Sequence, residues 1–340
     1  GACALAAAWQ AKYHRLAAVI LMGGAGLASC LTFVWLSAPD LALTQLVVEV
    51  VTTVLLLLGL RWLPKRLAEI HVPESEQRRA RWRRRLDRGI AVCAGAGVAL
   101  IAWAVMVRPP VEGVSRFFVE KAYEEAGGRN VVNVILVDFR GFDTFGEITV
   151  FGIAALVVHA LLRRSRMAPE QIMPGPPIKL PVPADLAQIM FPLTLTVSIF
   201  LFLRGHNAPG GGFIAGLVLA VPLLIQYVIQ GTASVESRFG FDYIRCIGMG
   251  LLIALLSGSA SMLFGVPFLT SGHLDLHLPL IGDVPLASAI GFDIGVYLVV
   301  FGGAMLMLSM MGTIKPSRTR NARHGEIDPN RRSTRTGEMH

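Results

Sequence analysis

The sequence predicts an all-α, polytopic transmembrane helix bundle with about eight spanning helices in two four-helix halves. Three observations predict this fold: the composition, the number of long apolar stretches, and the uneven distribution of basic residues. Hydrophobic residues make up 54% of the 340 residues and charged residues only 16%, whereas soluble domains are about 25% charged. The composition therefore excludes an ordinary soluble domain, and the high apolar content excludes a disordered chain.

A spanning helix needs about 20 mostly apolar residues, and eight stretches of the chain meet that requirement. The fourth stretch is the least regular, because charged residues mix with apolar ones just before it. The predicted spans are roughly 16–36, 41–62, 89–107, 144–162, 187–203, 213–230, 245–264 and 289–311.

Basic residues concentrate on one side of the predicted membrane. If residues 12–15 face the cytoplasm, 25 of the 31 Lys and Arg residues fall on that same side. The positive-inside rule expects this asymmetry, so the basic loops and the C terminus are predicted to be cytoplasmic. The net charge of +8 therefore indicates orientation rather than nucleic-acid binding. The arginine-rich run at 78–88 is expected to meet anionic membrane lipids.

A proline-rich segment divides the chain. Six prolines occur within 167–186, a density that blocks helix and sheet and favours an extended linker. The pattern predicts a first membrane half at 1–166, a cytoplasmic linker at 167–185, a second membrane half at 186–312 and a basic, disordered tail at 313–340. Two membrane halves joined in this way are what a fusion of separate subunits would look like.

The chain begins with apolar residues that no basic stretch precedes, the reverse of a signal peptide. We interpret this start as a cut inside a helix of a longer protein. The cysteines, Cys3, Cys30, Cys93 and Cys246, lie far apart in the sequence. This spacing argues against a disulfide framework, a zinc site or an iron–sulfur cluster, and no cofactor is predicted.

Acidic residues inside the spans are the main functional candidates, because each costs about 2.5–3.5 kcal/mol at mid-bilayer. Glu49 lies near the middle of the second span, and Gln45 and Thr52 share its helix face. This polar stripe predicts a hydrated seam for ion or proton handling. The alternative is a protonated structural acid bonded to a neighbouring helix. Asp40, at the outer end of the span, is interpreted as a candidate helix N-cap.

A second cluster of charges precedes and enters the fourth span. Asp143 and Glu147 stand one helical turn apart, on one face. Two carboxylates this close in a low dielectric cannot both ionise cheaply, so the pair can hold one proton or exchange it for Na⁺. Asp138 is either part of this path or a static partner of Arg140. His159, toward the cytoplasmic end, is either a proton relay or a solvated interfacial histidine.

A glycine-rich turn connects the fifth and sixth spans. His206 and Asn207 precede Pro209 and three consecutive glycines that begin with Gly210. A phosphate-binding loop is excluded, because no strand precedes the glycines and no lysine follows them. The pattern instead predicts a tight re-entrant turn packed against another helix. Asp293, which opens the last span, either caps that helix or reaches inward.

Three stretches of the chain resemble proteins of one family. SAPDLALTQLVVEVVTTVLLLL (37–58) and NVVNVILVDFRGFDTFGEITVFGIAALVVHALLR (130–163) look like the C-terminal region of the A-type protein in Mrp-type (multiple resistance and pH) Na⁺/H⁺ antiporter complexes. RGHNAPGGGFIAGLVLA (204–220) resembles the signature turn and helix of the B-type protein. The resemblance covers about 16–312 and implies a fusion of an A-type end with a complete B-type protein.

The resemblance implies a transport role rather than an enzymatic one, in the bacterial cytoplasmic (inner) membrane. Mrp complexes contain several different subunits and export Na⁺ in exchange for protons. The implied partners are the N-terminal, antiporter-like part of the A-type protein, the C-type to G-type proteins, membrane lipids, Na⁺ and H⁺. The segment around Pro209 and Phe213 is functionally sensitive in the family. The acids that match the family's proposed ion path are Glu49, Asp138, Asp143 and Glu147.

The chain departs from the family pattern because the large antiporter-like portion of the A-type protein is absent, so we do not expect this chain to exchange ions alone. Two alternatives to a place on the ion path remain. The chain is a structural membrane subunit whose buried acids stabilise helix packing, or it is a membrane subunit of a redox-driven pump related to respiratory complex I and membrane-bound hydrogenases.

Overall fold

The computed structural model confirms the helical transmembrane bundle. Among the residues it describes, six helices are long and apolar enough to cross a membrane, and two shorter apolar helices, Ile189–Arg204 and Gly212–Tyr227, accompany them. These eight segments coincide with the eight predicted spans. The described residues are 1–11, 14–60, 74–109, 113–166, 181–230, 232–278 and 282–313.

The first half of the chain contains four long apolar helices and several short ones. The chain bends sharply between the second and third helices, where Ser37 has a positive φ of 56°. A π-helical turn at Ile135–Phe139 leads into the last helix of this half. The helices are α1 (Ala2–Gln10), α2 (Arg15–Trp35), α3 (Pro39–Leu60), α4 (Glu74–Met106), α5 (Ser115–Ala126), α6 (Val131–Val134) and α7 (Gly141–Arg166).

The second half adds four long helices, one short helix and a β-hairpin. The hairpin is antiparallel and pairs His273 with Ala287 at its open end. It is an addition to the predicted helical fold. The elements are α8 (Pro181–Arg204), α9 (Gly212–Gln230), α10 (Thr232–Phe239), α11 (Tyr243–Ala260), a 3₁₀ turn (Ser261–Phe264), β1 (His273–Leu278), β2 (Gly282–Ala287) and α12 (Ala289–Thr313).

Two boundaries differ from the prediction. Helix α4 begins at Glu74 and so includes the arginine-rich run ahead of the predicted third span. Helix α8 begins at Pro181, so the last residues of the predicted linker are helical. Proline is compatible with a first helical turn, because the N–H groups there have no partner within the helix. The rest of the linker, 167–180, and the tail from 314 lie outside the described residues.

Helix α12 forms the centre of the bundle and is buried along most of its length. Its side chains pack with those of α7, α9 and α11 in one core that contains residues of both predicted halves. Ala155 of α7, Leu223 of α9 and Val299 of α12 are all fully buried in it. The two membrane halves therefore pack as one body across a shared interface.

Helices α11 and α12 approach each other at a pair of glycines. A Cβ atom added to Gly250 would lie 2.7 Å from the Gly295 carbonyl oxygen, and one added to Gly295 would lie 2.6 Å from the Gly250 carbonyl oxygen. Small residues permit this backbone contact, which stabilises helix association in membranes through close packing.

We expect Gly250→Ala to destabilise the bundle by about 1–3 kcal/mol, because the added methyl forces two backbones apart. The measurement is the midpoint of thermal unfolding of the detergent-solubilised protein. Gly248→Ala is the matched control, since an added Cβ there meets nothing within 4 Å. Equal midpoints for the two variants would contradict the close helix contact.

Candidate functional site

A cavity of about 400 Å³ lies where α3, α6, α7, α9 and α12 meet. Most of its wall is apolar, and it includes Phe213 of the glycine-rich turn. Three carboxylates from three different helices share this one space. The polar side chains that line it are Asp40, Thr44, Asn133, Thr144, Glu147 and Asp293.

Of the predicted acid pair on α7, only Glu147 lines the cavity. The Asp143 carboxylate forms an ion pair with Arg140, and both side chains are about half exposed, at 49% and 63%. Arg140 thus neutralises Asp143, whereas the sequence left open a pairing with Asp138. The Thr144 hydroxyl, between the two acids, donates to the Leu136 carbonyl oxygen at 2.6 Å.

Asp138 lies in the π-helical turn that precedes α7. Its partial burial raises the pKa of the carboxyl above the ordinary value, and hydrogen bonds from Ser271 oppose that rise. Asp138 therefore faces the loop that follows α11, outside the cavity lining.

Glu49 lies on the contact between α3 and α2. Gln45 Nε2 donates to Glu49 Oε2 at 3.2 Å, and Glu49 Oε1 lies 3.7 Å from the position of a Cβ added to Gly23. A methyl group on Gly26 would collide with the Glu49 carboxylate. The Thr52 hydroxyl turns back to the Val48 carbonyl oxygen at 2.8 Å. Glu49 is therefore held in a glycine-lined notch, separate from the cavity lining.

The predicted re-entrant turn packs between the two halves. His206 Nε2 lies 2.9 Å from the Ala126 carbonyl oxygen, and Asn207 Oδ1 accepts from the Arg129 N–H at 3.4 Å. Gly211 has a φ of 105°, a region that favours glycine. A Cβ on Gly212 would collide with the Asp293 backbone. The glycines thus permit the turn to approach α12 closely.

Two carboxylates accept hydrogen bonds from the backbone of this turn. The Gly210 N–H donates to Asp40 Oδ1 at 3.1 Å, and the Gly212 N–H donates to Asp293 Oδ2 at 2.9 Å. Asp40 lies in the first turn of α3, and its carboxylate bonds across the bundle rather than capping its own helix. Asp293, only 8% exposed, reaches inward. The turn therefore places an acid from each half against the same cavity.

Asn130 and Asn133 were missed by the sequence analysis. Both are buried, and Asn133 lines the main cavity together with a second space of about 10 Å³ beside His206 and Asp293. That volume accommodates about one water molecule. The only sequence signal was the capping pattern of Asn130 ahead of α6, which says nothing about a site.

His159 is half-buried on α7, and its Nδ1 is buried without a hydrogen-bond partner in the described part of the structure. Within those same residues, no group of three or more His, Cys, Asp and Glu side chains is arranged to hold a metal ion. A cation in the cavity would therefore rely on a few carboxylates together with amide, hydroxyl and carbonyl oxygens, the hard ligands that alkali and alkaline-earth cations prefer.

A multi-pass helical bundle with ionisable groups around an internal cavity defines a membrane protein of the ion-transporting class. Family models match successive parts of the chain. They are described as the D component of MBH (residues 1–65), the E component of MBH (residues 82–177) and a domain related to the MnhB subunit of Na⁺/H⁺ antiporter (residues 182–306).

Individual relatives agree with the family models. The chain is 51% identical over 328 residues to a probable K⁺/H⁺ antiporter protein of the fused A/B type from Rhizobium meliloti, covering 90% of this chain and 33% of that protein. It is 39% identical over 123 residues to the B-type protein of a Na⁺/H⁺ antiporter from Alkalihalophilus pseudofirmus, covering 36% and 85%. It is 43% identical over 152 residues to the A-type protein of that organism, covering 44% and 18%.

Among solved structures, a chain of the Mrp complex from Dietzia sp. DQ12-45-1b superposes with a TM-score of 0.77 at 32% identity, covering 94% of this chain and 35% of that chain. The chain belongs to the Mrp-type Na⁺/H⁺ antiporter subunit family and joins a region like the C-terminal part of the A-type protein to one like the B-type protein. It spans about a third of the length of the A/B relative.

Proposed function

We propose that this chain acts as a membrane subunit of a multisubunit monovalent-cation/H⁺ antiporter and that its cavity forms part of the cation or proton path. The single observation that carries the proposal is the convergence of Asp40, Glu147 and Asp293 on one largely apolar cavity. The names of its relatives, K⁺/H⁺ and Na⁺/H⁺ antiporter subunits, support the reaction.

The chemistry of the cavity suits exchange between a cation and protons. Carboxylates in a low-dielectric space repel each other when all are charged, so each is stabilised by a proton or by a bound cation. The two ligands therefore compete for the same oxygens, and the competition couples their opposite movements. Asp143 and Glu147 remain the proposed Na⁺ pair, with the requirement that the ion displaces Arg140 from Asp143.

The remaining predicted residues have proposed places on the path. Glu49 and Gln45 form a polar step in the α2–α3 contact, and His159 offers an unpartnered ring nitrogen, among the described residues, at the cytoplasmic end of α7. Asp138 marks the outer approach. The signature turn, which comprises His206, Asn207, Pro209, Gly210 and Phe213, positions the two aspartates that border the cavity.

The proposed location is the bacterial cytoplasmic membrane, with the basic loops and the C terminus in the cytoplasm. The proposed partners are the antiporter-like part of the A-type protein and the C-type to G-type proteins. Helix α4 supports partner or lipid contact, because its apolar side chains from Ile90 to Val107 are largely exposed. The proposed division into an A-like half, a linker and a B-like half follows the matched regions.

A membrane subunit of a redox-driven pump is the second candidate. The two models described as the D and E components of MBH support it, because they match the first half of the chain. Co-purification separates the two candidates. Antiporter subunits in the purified complex would support the first, and iron–sulfur proteins would support the second.

Asp40→Asn tests the cavity directly. We expect the variant complex to assemble and to need about tenfold more cation for half-maximal exchange, because a neutral amide attracts the cation less in a low-dielectric cavity. The measurement follows cation-induced collapse of the pH gradient in everted vesicles that contain the whole complex. Asp87→Asn, on exposed α4, is the matched control. Unchanged cation dependence in an assembled Asp40→Asn complex would count against the proposed function.

A further inference from the structure

We propose that Asn130 is a positioning residue for cation binding, because its side-chain amide joins the Asp40 carboxylate to the glycine-rich turn of the opposite half. The inference rests on the proposed function, since Asp40 is one of the three cavity carboxylates. It adds a residue that touches neither the cavity wall nor the transported ion.

The amide nitrogen of Asn130 faces three acceptors. Asn130 Nδ2 lies 3.2 Å from Asp40 Oδ1, 3.0 Å from the Gly205 carbonyl oxygen and 3.1 Å from the Ala208 carbonyl oxygen. The two amide hydrogens are therefore shared among one carboxylate and two backbone carbonyls. The acceptors belong to α3 in the first half and to the turn in the second half, so one side chain spans the interface.

The rest of the residue is also engaged. The Asn130 N–H donates to the His206 carbonyl oxygen at 3.1 Å. Asn130 Oδ1 accepts from the Asn133 N–H at 3.4 Å and caps α6. The side chain is only 8% exposed, so these bonds are not exchanged with bulk water. The rotamer of Asn130 is thus fixed from both sides.

The consequence falls on Asp40. Its Oδ1 accepts from both Asn130 Nδ2 and the Gly210 N–H, which leaves the other carboxylate oxygen available to the cavity. A buried carboxylate with fewer donors rotates or takes up a proton more readily, and each change weakens cation binding. Asn130 therefore sets how Asp40 meets the ion, whereas the mouth of the cavity is built by the turn itself.

The chemistry requires an amide at this position. Aspartate offers no hydrogen to the Gly205 and Ala208 carbonyl oxygens and would add a second carboxylate beside Asp40. Serine retains an oxygen for the N-cap but is too short to reach the three acceptors of Nδ2. Comparison of Asn130→Ala with Asn130→Ser therefore separates loss of the cap from loss of the bridge.

The test is a double-mutant cycle on the whole complex in everted vesicles, with assembly checked on a native gel. We expect Asn130→Ala to raise the half-saturating cation concentration about tenfold and to leave the maximal exchange rate within about twofold. In the Asp40→Asn background, Asn130→Ala should have little further effect, because residues that act through one another are not additive. Thr270→Ala is the control, since its exposed hydroxyl bonds the nearby Pro267 carbonyl oxygen, away from the cavity.

The outcomes distinguish this inference from the proposed function. An Asp40→Asn complex with unchanged cation dependence contradicts the proposed function and the inference together. An Asp40→Asn defect combined with a normal Asn130→Ala, or with fully multiplicative effects, contradicts the inference alone. If Asn130→Ala does not assemble, Asn130→Ser decides, because it keeps the cap and should show the same tenfold rise. Loss of assembly in both variants would make Asn130 a structural residue and overturn the inference.

Discussion

Glu147→Gln should abolish cation/H⁺ exchange while the complex still assembles. Glu147 lines the cavity from α7, and its neighbour Asp143 is already paired with Arg140. The substitution therefore removes the one acid of this helix that is available to an ion. We expect the exchange rate to fall at least about a hundredfold, because an amide neither carries a proton nor offers a charge to a cation in a low-dielectric space.

The measurement is cation-induced collapse of the pH gradient in everted vesicles, scanned over Na⁺ and K⁺ concentrations. Glu120→Gln is the matched control, since Glu120 lies on exposed α5 in a surface ion pair with Arg116, and such pairs contribute little. An assembled Glu147→Gln complex with normal exchange would contradict a place for Glu147 on the path. Loss of the complex from the native gel would instead favour the structural alternative.

The membrane architecture was predictable because its physical signals are local. Each span is a run of apolar residues long enough to cross the bilayer, and each run became a helix or part of one. The bilayer leaves unpaired backbone groups no other partner, so an apolar run of this length has few other structures available. Helix α5 and the β1–β2 hairpin were not predicted, because both are short and lie between the spans.

The site was only partly predictable, because its geometry depends on contacts between residues distant in sequence. Glu147 and the glycine-rich turn were identified by their unusual chemistry for a membrane span. Asp40 looked like an ordinary helix cap, and its bond to the Gly210 N–H joins residues 170 positions apart. The Arg140–Asp143 pair required the rotamers of α7, which the one-turn spacing does not specify. Buried asparagines such as Asn130 give no periodic signal at all.

Helix α12 supplies the strongest case for a second indispensable acid. Asp293 is only 8% exposed and lines both the main cavity and the one-water space beside His206. Its Oδ2 accepts from the Gly212 N–H at 2.9 Å. A buried carboxylate held by a single backbone donor is costly, so a structural role alone would be served better by an uncharged side chain. The position is therefore suited to a group that binds and releases a proton or a cation.

We expect Asp293→Asn to preserve assembly and to lower exchange at least about tenfold. The amide oxygen still accepts from the Gly212 N–H, so the turn keeps its contact with α12, but the charge is lost. Asp293→Leu removes charge and acceptor together and should also lower the thermal unfolding midpoint of the solubilised protein, because the buried Gly212 N–H is then unsatisfied. The two variants thus separate charge from packing. If Asp293→Asn exchanges normally while Asp293→Leu fails to assemble, Asp293 serves the packing of the turn, and the ion path runs through Glu147 and Asp40 without it.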